Sequence, residues 1–132
     1  EFILGNRKTA KTDDELVTGL LIPKPSANAF GAFEKLGARK YLVISIVMTG
    51  VVAEWNEDQR IGKIRIAVGS CSEKSIRLEK LEKECEGKRM DQIRIRTEHL
   101  ENLSPIDDIR AKADFRLDVV SELILRAVRQ TS

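Results

Sequence analysis

Histidine occurs once in this chain of 132 residues and cysteine twice, and that scarcity removes several kinds of chemistry at the outset. Cys71 and Cys85 stand far apart, with no second pair and no histidine cluster beside them. A tetrahedral zinc site or a vicinal redox disulfide is closed by short spacings. Both cysteines therefore read as reduced thiols. His99 has no constellation of Ser, Cys or carboxylate around it in sequence and reads as a surface or helix-face residue rather than a catalyst. No run reaches the roughly 18 apolar residues of a membrane-spanning helix, and no charged-then-apolar signal segment opens the chain. A soluble, cytoplasmic protein without a membrane partner is the expectation. Lys and Arg number 23 against 21 Asp and Glu, a balance of +2, which is too slight to imply nucleic acid as a partner.

Catalytic signatures are missing as well. The chain holds no G-x-G-x-x-G, no G-x-x-x-x-G-K-[ST], no H-E-x-x-H and no G-x-S-x-G, so neither a phosphate-cradling loop nor an autonomous hydrolytic centre is legible. The acidic pairs Asp13-Asp14 and Asp107-Asp108 are adjacent in sequence. They read as turn and cap residues, not as carboxylates converging across a cleft.

What is present is the pattern of one folded domain. An apolar content of 42% over this length suffices for one core and not for two. The stretch Tyr41 to Gly69 carries the clearest alternation: YLVISIVMTGVVAEW, a polar turn Asn56–Gln59, then RIGKIRIAVG. Runs rich in Val and Ile with period two read as strands. They predict an antiparallel hairpin whose second strand turns Ile64, Ile66 and Val68 one way and Lys63, Arg65 and Ala67 the other.

Around that hairpin the rest of the chain falls into place. It begins without methionine and is apolar from Phe2 to Leu4, which suggests an excerpt of something longer. Thr12–Glu15 reads as a polar turn. Glu15–Ile22, ELVTGLLI, reads as a strand stopped by Pro23-Lys24-Pro25, since proline cannot donate to a ladder. Ser26–Ala29 is a loop. Ala32–Lys40 predicts a short strand with Phe33 and Lys35 on one face and a bend at Gly37. A lysine beside an aromatic is by default a snorkelling surface cation; the sharper alternative is a cation aimed at a cofactor or partner.

Downstream of a small-residue link at Gly69–Ser72, three helices are predicted. Glu73–Glu86 spaces Leu78, Leu81 and Cys85 helically, with Gly87 placed as a C-terminal cap. Lys88–Leu103 carries a narrow stripe of Met90, Ile93, Thr97 and Leu100. Ser104-Pro105-Ile106-Asp107 fits either a capping box or an extended loop. The last helix is the clearest, with Phe115, Val119, Leu123 and Ala127 recurring every four residues and Val120, Ile124 and Val128 beside them. Arg110, Arg116, Arg126 and Arg129 lie off that stripe and read as a hydrated surface or an interface rim. The fold class is therefore α+β: an antiparallel sheet of three to four strands covered on one face by about three helices.

Five segments in order carry a resemblance: FILGNRKT, DELVTGLLIPKP, AFEKLGARKYLVISIV, RIGKIRIAVGS and LSPIDDIRAKADFRLDVVSELILRAV. Together they resemble the C-terminal portion of the FAD-binding subunit of molybdenum hydroxylases, the family of xanthine dehydrogenase and aerobic carbon monoxide dehydrogenase. The resemblance covers nearly the whole chain and is weakest from Glu79 to Glu101. It implies that residues 1–25 are terminal strands of a preceding FAD-binding region and that 26–132 form the flavoprotein C-terminal α+β domain. It also implies a complex in which an iron–sulfur subunit and a molybdenum subunit, carrying molybdopterin, pass electrons to FAD and on to an acceptor.

The glycine-rich loops that wrap the FAD pyrophosphate in that family are absent here, so the isolated fragment is expected to hold FAD weakly or not at all and not to be catalytic. Two positions carry over. Lys35 matches a lysine that reaches toward the flavin, where a cation favours the reduced, anionic ring, and Val17 matches an apolar residue lining that ring. Where the family often has an acidic pair, Leu42 and Val43 stand here. A different class of function is a dimerisation or subunit-docking module with no direct flavin contact, since a fold of this kind does not by itself imply an activity.

Overall fold

The computed structural model describes residues 2–39, 41 and 43–132; Glu1, Lys40 and Leu42 lie outside the described residues. The expected end of the short strand at Lys40 and the Leu42 half of the Leu42–Val43 pair fall there. The hairpin predicted from alternation forms the middle of the main sheet. Strands β4 (Ser45–Trp55) and β5 (Ile61–Gly69) pair antiparallel, with Val51 opposite Ile66 and Ala53 opposite Ile64. Their turn is closed by Asn56 N–H donating to Arg60 O at 2.8 Å and Gln59 N–H to Asn56 O at 3.0 Å.

Strand β3 (Ala29–Gly37) lies on the other side of β4 and β6 (Ile76–Arg77) on the other side of β5, giving an antiparallel order β3-β4-β5-β6. A separate ribbon, β1 (Ile3–Gly5) with β2 (Lys8–Thr9), precedes them. Helices α1 (Glu79–Cys85), α2 (Thr97–Leu100) and α3 (Ala113–Arg129) complete the α+β architecture, α1 packing on β5 and α3 on β3 and β4.

Register decides which residues make the core. Because side chains alternate along a strand, Val47, Thr49, Val51 and Ala53 of β4 share a face with Ile64, Ile66 and Val68 of β5, and all seven are buried. Val120, Leu123, Ile124, Ala127 and Val128 of α3 close over them. Each buried Val, Ile or Leu here contributes about 1.5–3 kcal/mol relative to exposure. The opposite face carries Gly31, Phe33 and Lys35 of β3, Gly50 and Val52 of β4, and Lys63 and Arg65 of β5; among the described residues no helix packs on it, and Phe33 is 60% exposed.

The free edge of β5 is sealed by side chains and by the turn after α1. Leu78 N–H donates to Ile66 O at 3.0 Å and Gly87 N–H to Ile61 O at 2.7 Å, while Ile61 N–H reaches Lys88 O at 2.9 Å. Gly87 has φ +76°, the left-handed conformation that the predicted C-terminal cap requires. Between those points the Glu82 carboxylate accepts Ile66 N–H at 2.8 Å, and the Arg65 guanidinium donates to Ile64 O at 2.9 Å.

Several expectations are corrected. Glu15–Ile22 forms no strand: it has the composition of one, but no strand lies beside it among the described residues, and a ladder needs a partner. The first helix begins at Glu79 and not at Glu73, because Ile76 and Arg77 are drawn into the sheet beside Ala67 and Val68. The expected second helix, Lys88–Leu103, is reduced to a 3-10 turn at Met90–Gln92 and the four residues of α2. Between them the chain is extended, so that buried Ile93 and half-buried Ile95, two residues apart, both reach the core.

Ser104–Asp107 takes its extended-loop alternative, and Asp107 Oδ1 instead accepts Ala113 N–H at 2.7 Å where α3 begins. On α3 itself, Phe115 is 48% exposed, whereas Arg116, expected at the surface, is buried.

Candidate functional site

A concavity lies at one end of the sheet, where the start of β4, the link after β5 and the loop before α3 come together. It is a cleft of about 910 Å³ lined by Ile44, Ser45, Met48, Ser70, Ser72, Ser104, Asp108, Arg110 and Arg116, among others, with Glu73 and Lys74 also on its wall. A second hollow of about 360 Å³, lined by Ala38, Arg39, Val43, Ile44 and Arg110, shares Ile44 and Arg110 with it.

One buried cation organises this end of the molecule. Arg116 projects from the first turn of α3 and donates to Ile46 O, to Ser70 O at 3.1 Å and to Asp108 Oδ1 at 2.8 Å. It thereby ties the helix to β4, to the end of β5 and to the preceding loop. Asp108 in turn accepts Arg110 N–H at 2.8 Å and Ala111 N–H at 3.2 Å, and pairs with the Arg110 guanidinium at 2.5 Å. These donors, the Arg110 amide foremost, hold the Asp108 carboxyl down at about 2 against the opposing effect of burial. Both residues of the Asp107-Asp108 pair thus serve turn and cap chemistry. The cleft offers hydroxyls and a positioned guanidinium, suited to holding a polar group. No imidazole lines it, and the Ser72 hydroxyl is engaged by Cys71 O at 2.5 Å.

Lys35 and Val17 sit outside this cleft. Lys35 shares the uncovered sheet face with Phe33, lies opposite Met48 in the ladder, and donates from Nζ to Val43 O at 2.8 Å. It makes no ion pair among the described residues. The carbonyl of Val43 thus receives the charge. Val17 lies in the irregular segment before β3 and is 51% exposed. Cys71 and Cys85 are free, as expected, and burial pushes each thiol up to about 11, which leaves them unreactive.

His99 takes the helix-face alternative and not the surface one: it lies in α2 and is buried. Its Nδ1 accepts Arg96 N–H at 3.0 Å, which places the ring proton on Nε2, and Nε2 then donates to Glu84 Oε2 at 3.0 Å. Glu84, Glu98 and His99 lie close enough to hold a metal ion, but Nε2 has no lone pair free for one in this arrangement. Glu84 is moreover engaged by Lys88 at 2.7 Å and by the Arg96 guanidinium. The cluster is a salt-bridged knot that caps α2. It had no sequence signal, because its members are separated by up to 15 residues.

Lys88, with Arg96 next, lowers the Glu84 carboxyl from 4.5 to about 2. A carboxyl lowered in the folded state stabilises above its unfolded value and loses that contribution as pH falls through its folded value. The urea midpoint is therefore expected to fall between pH 4.5 and about 2, and Glu84→Gln to flatten that fall; an identical slope in wild type and variant would refute the assignment.

The family model of the CO dehydrogenase flavoprotein C-terminal domain matches residues 32–131. Over 132 residues the chain is 30% identical to the nicotine 6-hydroxylase medium subunit of Paenarthrobacter nicotinovorans, a match that spans 97% of this chain and 45% of that protein. The fold superposes on reconstituted CO dehydrogenase from Oligotropha carboxidovorans with a TM-score of 0.84 at 22% identity, covering 98% of this chain and 46% of the other. For CO dehydrogenase from Hydrogenophaga pseudoflava the TM-score is 0.81 at 24% identity, with coverage of 97% and 45%. The chain spans less than half the length of each of these relatives.

Proposed function

The chain belongs to the CO dehydrogenase flavoprotein C-terminal domain family, and from that premise we propose that it is the C-terminal portion of the flavin subunit of a molybdenum-containing hydroxylase. Residues 26–132 form the domain, and 1–25 belong to a preceding FAD-binding region. The observation that carries this reading is the family match across residues 32–131. The domain packs against the FAD-binding region near the isoalloxazine ring and supports electron transfer from iron–sulfur clusters to FAD and an acceptor. Its partners are an iron–sulfur subunit and a molybdenum subunit carrying molybdopterin.

The residues present fit an edge of the flavin and not its phosphates. Among the described residues Gly87, at the end of α1, is the one glycine with a left-handed backbone, and no nest of glycine amides stands ready for a pyrophosphate. Lys35, by contrast, is an exposed ammonium held by one backbone carbonyl, free to face a ring on which negative charge gathers. FAD, when bound, supplies the redox chemistry. Lys35 orients toward its edge and favours the charged form, and Val17 packs against the ring.

The test joins this chain to the upstream region of its gene and reads flavin absorbance near roughly 450 nm, where oxidised flavin absorbs. The joined protein is expected to be yellow. In it, Lys35→Ala should lower the two-electron potential by roughly 20–90 mV, the span of about 1–4 kcal/mol for a unit charge at contact distance between aqueous and protein-surface screening. A colourless joined protein would remove the reading. An unchanged potential would favour a docking module without flavin contact, a second reading that the bond from Lys35 to Val43 O itself supports.

A further inference from the structure

Gly50 stands in the middle of β4 for no reason internal to this chain. Its backbone is extended and not left-handed, and a Cβ added to it would meet no atom of the described residues within 4 Å. Glycine inside a strand weakens it, and commonly marks a place where something else approaches closely. Gly69 shows the contrast. There the Met48 side chain occupies the space that a Cβ would need. At Gly50 nothing does, and even Phe33, directly opposite on β3, does not lean over it.

The ladder shows what surrounds the gap. Across the uncovered face the row through Gly50 reads Phe33, Gly50, Ala67, Arg77, two small residues between two large ones. Met48 and Val52 flank Gly50 along β4 on the same face. The walls are thus roughly 14 Å apart, backbone to backbone, both across three strand spacings and along four residues of β4. With the wall side chains in place, that is a seat for one large side chain. Phe33 and Val52 on its rim are 60% and 43% exposed, and the Arg65 and Arg77 side chains 45% and 44%. Lys35 and Lys63 add two more cations to the face, where Glu54, opposite Lys63, is the one carboxylate among these rows. An apolar centre inside a charged rim is the anatomy of a polypeptide interface.

We propose that Gly50 and Ala67 floor a seat for one large apolar side chain, aromatic by preference and flanked by carboxylates, contributed by the preceding part of the same polypeptide. An aromatic ring there meets the Phe33 ring on one side and the Arg65 and Arg77 guanidinium groups on the other. The carboxylates answer the cationic rim. The source follows from connectivity and length: the chain enters the sheet through β3, the strand that carries Phe33, and the relatives are more than twice as long as the span this chain matches. The inference rests on the proposed flavin-subunit reading and deepens it by naming the contact surface.

The test is maleimide labelling of Ala67→Cys, in this chain alone and in the longer polypeptide, since both native thiols are buried. Labelling is expected to be fast in the short chain at every concentration and slowed at least about 100-fold in the long one, the scale of a site that opens only by local unfolding. Gly50→Val, added to Ala67→Cys, should restore labelling in the long polypeptide at least about 10-fold by filling the seat. In the short chain the same change should raise the urea midpoint, because valine suits a strand and meets open space there. Fast labelling in the long polypeptide, or slow labelling that Gly50→Val leaves unchanged, overturns the proposal. So does slowing that grows with concentration in the short chain, which would make a second copy the occupant, or slowing that vanishes when flavin is stripped from the long one, which would make the ring the occupant. Flavin absorbance separates the failures: a yellow long polypeptide with fast labelling refutes the seat alone, and a colourless one refutes the reading beneath it.

Discussion

Arg116→Leu is expected to destabilise the fold by about 3–5 kcal/mol, the range for breaking a buried charge pair from one side. Leucine retains much of the apolar stem, so the loss is not chiefly one of packing. It leaves the carbonyls of Ile46 and Ser70 without their donor and removes the cation from Asp108, in a place where Arg116 is 3% exposed. Asp108→Asn should cost less, because the Asp108 side chain is 19% exposed and water can reach it. Urea unfolding of both variants and of the double variant measures the difference, and the two effects should be strongly non-additive since the residues share one bond network. A loss below about 1 kcal/mol for Arg116→Leu, the scale of a surface pair, would show that the guanidinium is hydrated in solution.

Glu82→Ala should be the next most costly change, at about 2–4 kcal/mol, because it strands both a buried amide and the partner charges. Glu82 is 3% exposed, accepts Ile66 N–H and receives Arg77 through two bonds of 2.5 and 2.6 Å. The two halves of that role can be separated. Glu82→Gln keeps an acceptor for Ile66 while weakening the Arg77 pair. Since Arg77 is 44% exposed, that pair is screened and its loss should cost no more than about 1 kcal/mol. If Gln and Ala prove equally damaging, the ion pair and not the sealed backbone amide is the main contribution.

These two residues mark the boundary of what the chain discloses before folding. Alternation in Ile64–Val68 and the four-residue recurrence of Leu123 and Ala127 each report burial directly, because one residue type answers to one environment. Arg116 and Glu82 answer to two at once. Both lie on buried faces of their helices, and Arg116 falls four residues before Val120 on the line that the apolar stripe continues, a signal that its charge obscures.

Ile76 and Arg77 join the sheet through two rungs only, too few for period two to register against a following helix. The stretch from Lys88 to Leu103 misleads for the opposite reason: Met90, Ile93 and Leu100 imitate a helical stripe, while the spacing of Ile93 and Ile95 belongs to an extended chain. At the candidate site, Lys35 and Phe33 could be placed on one strand face from sequence. The cleft could not, because Ser45, Ser70, Ser104 and Arg110 come from separate parts of the chain and carry no shared motif.

The sealing of β5 has a consequence for how this protein can associate. Growth of a fibre by strand addition needs two receptive borders on every molecule, one to accept a neighbour and one to offer to the next. Here the border of β5 is occupied by the two residues of β6 and, beyond them, by α1 through Glu82 and by the neighbouring Arg65, and β3 forms the other border of the sheet. Association through the sheet is thereby biased to one side: two copies could meet through β3, and the pair would present to a third only the two residues of β6.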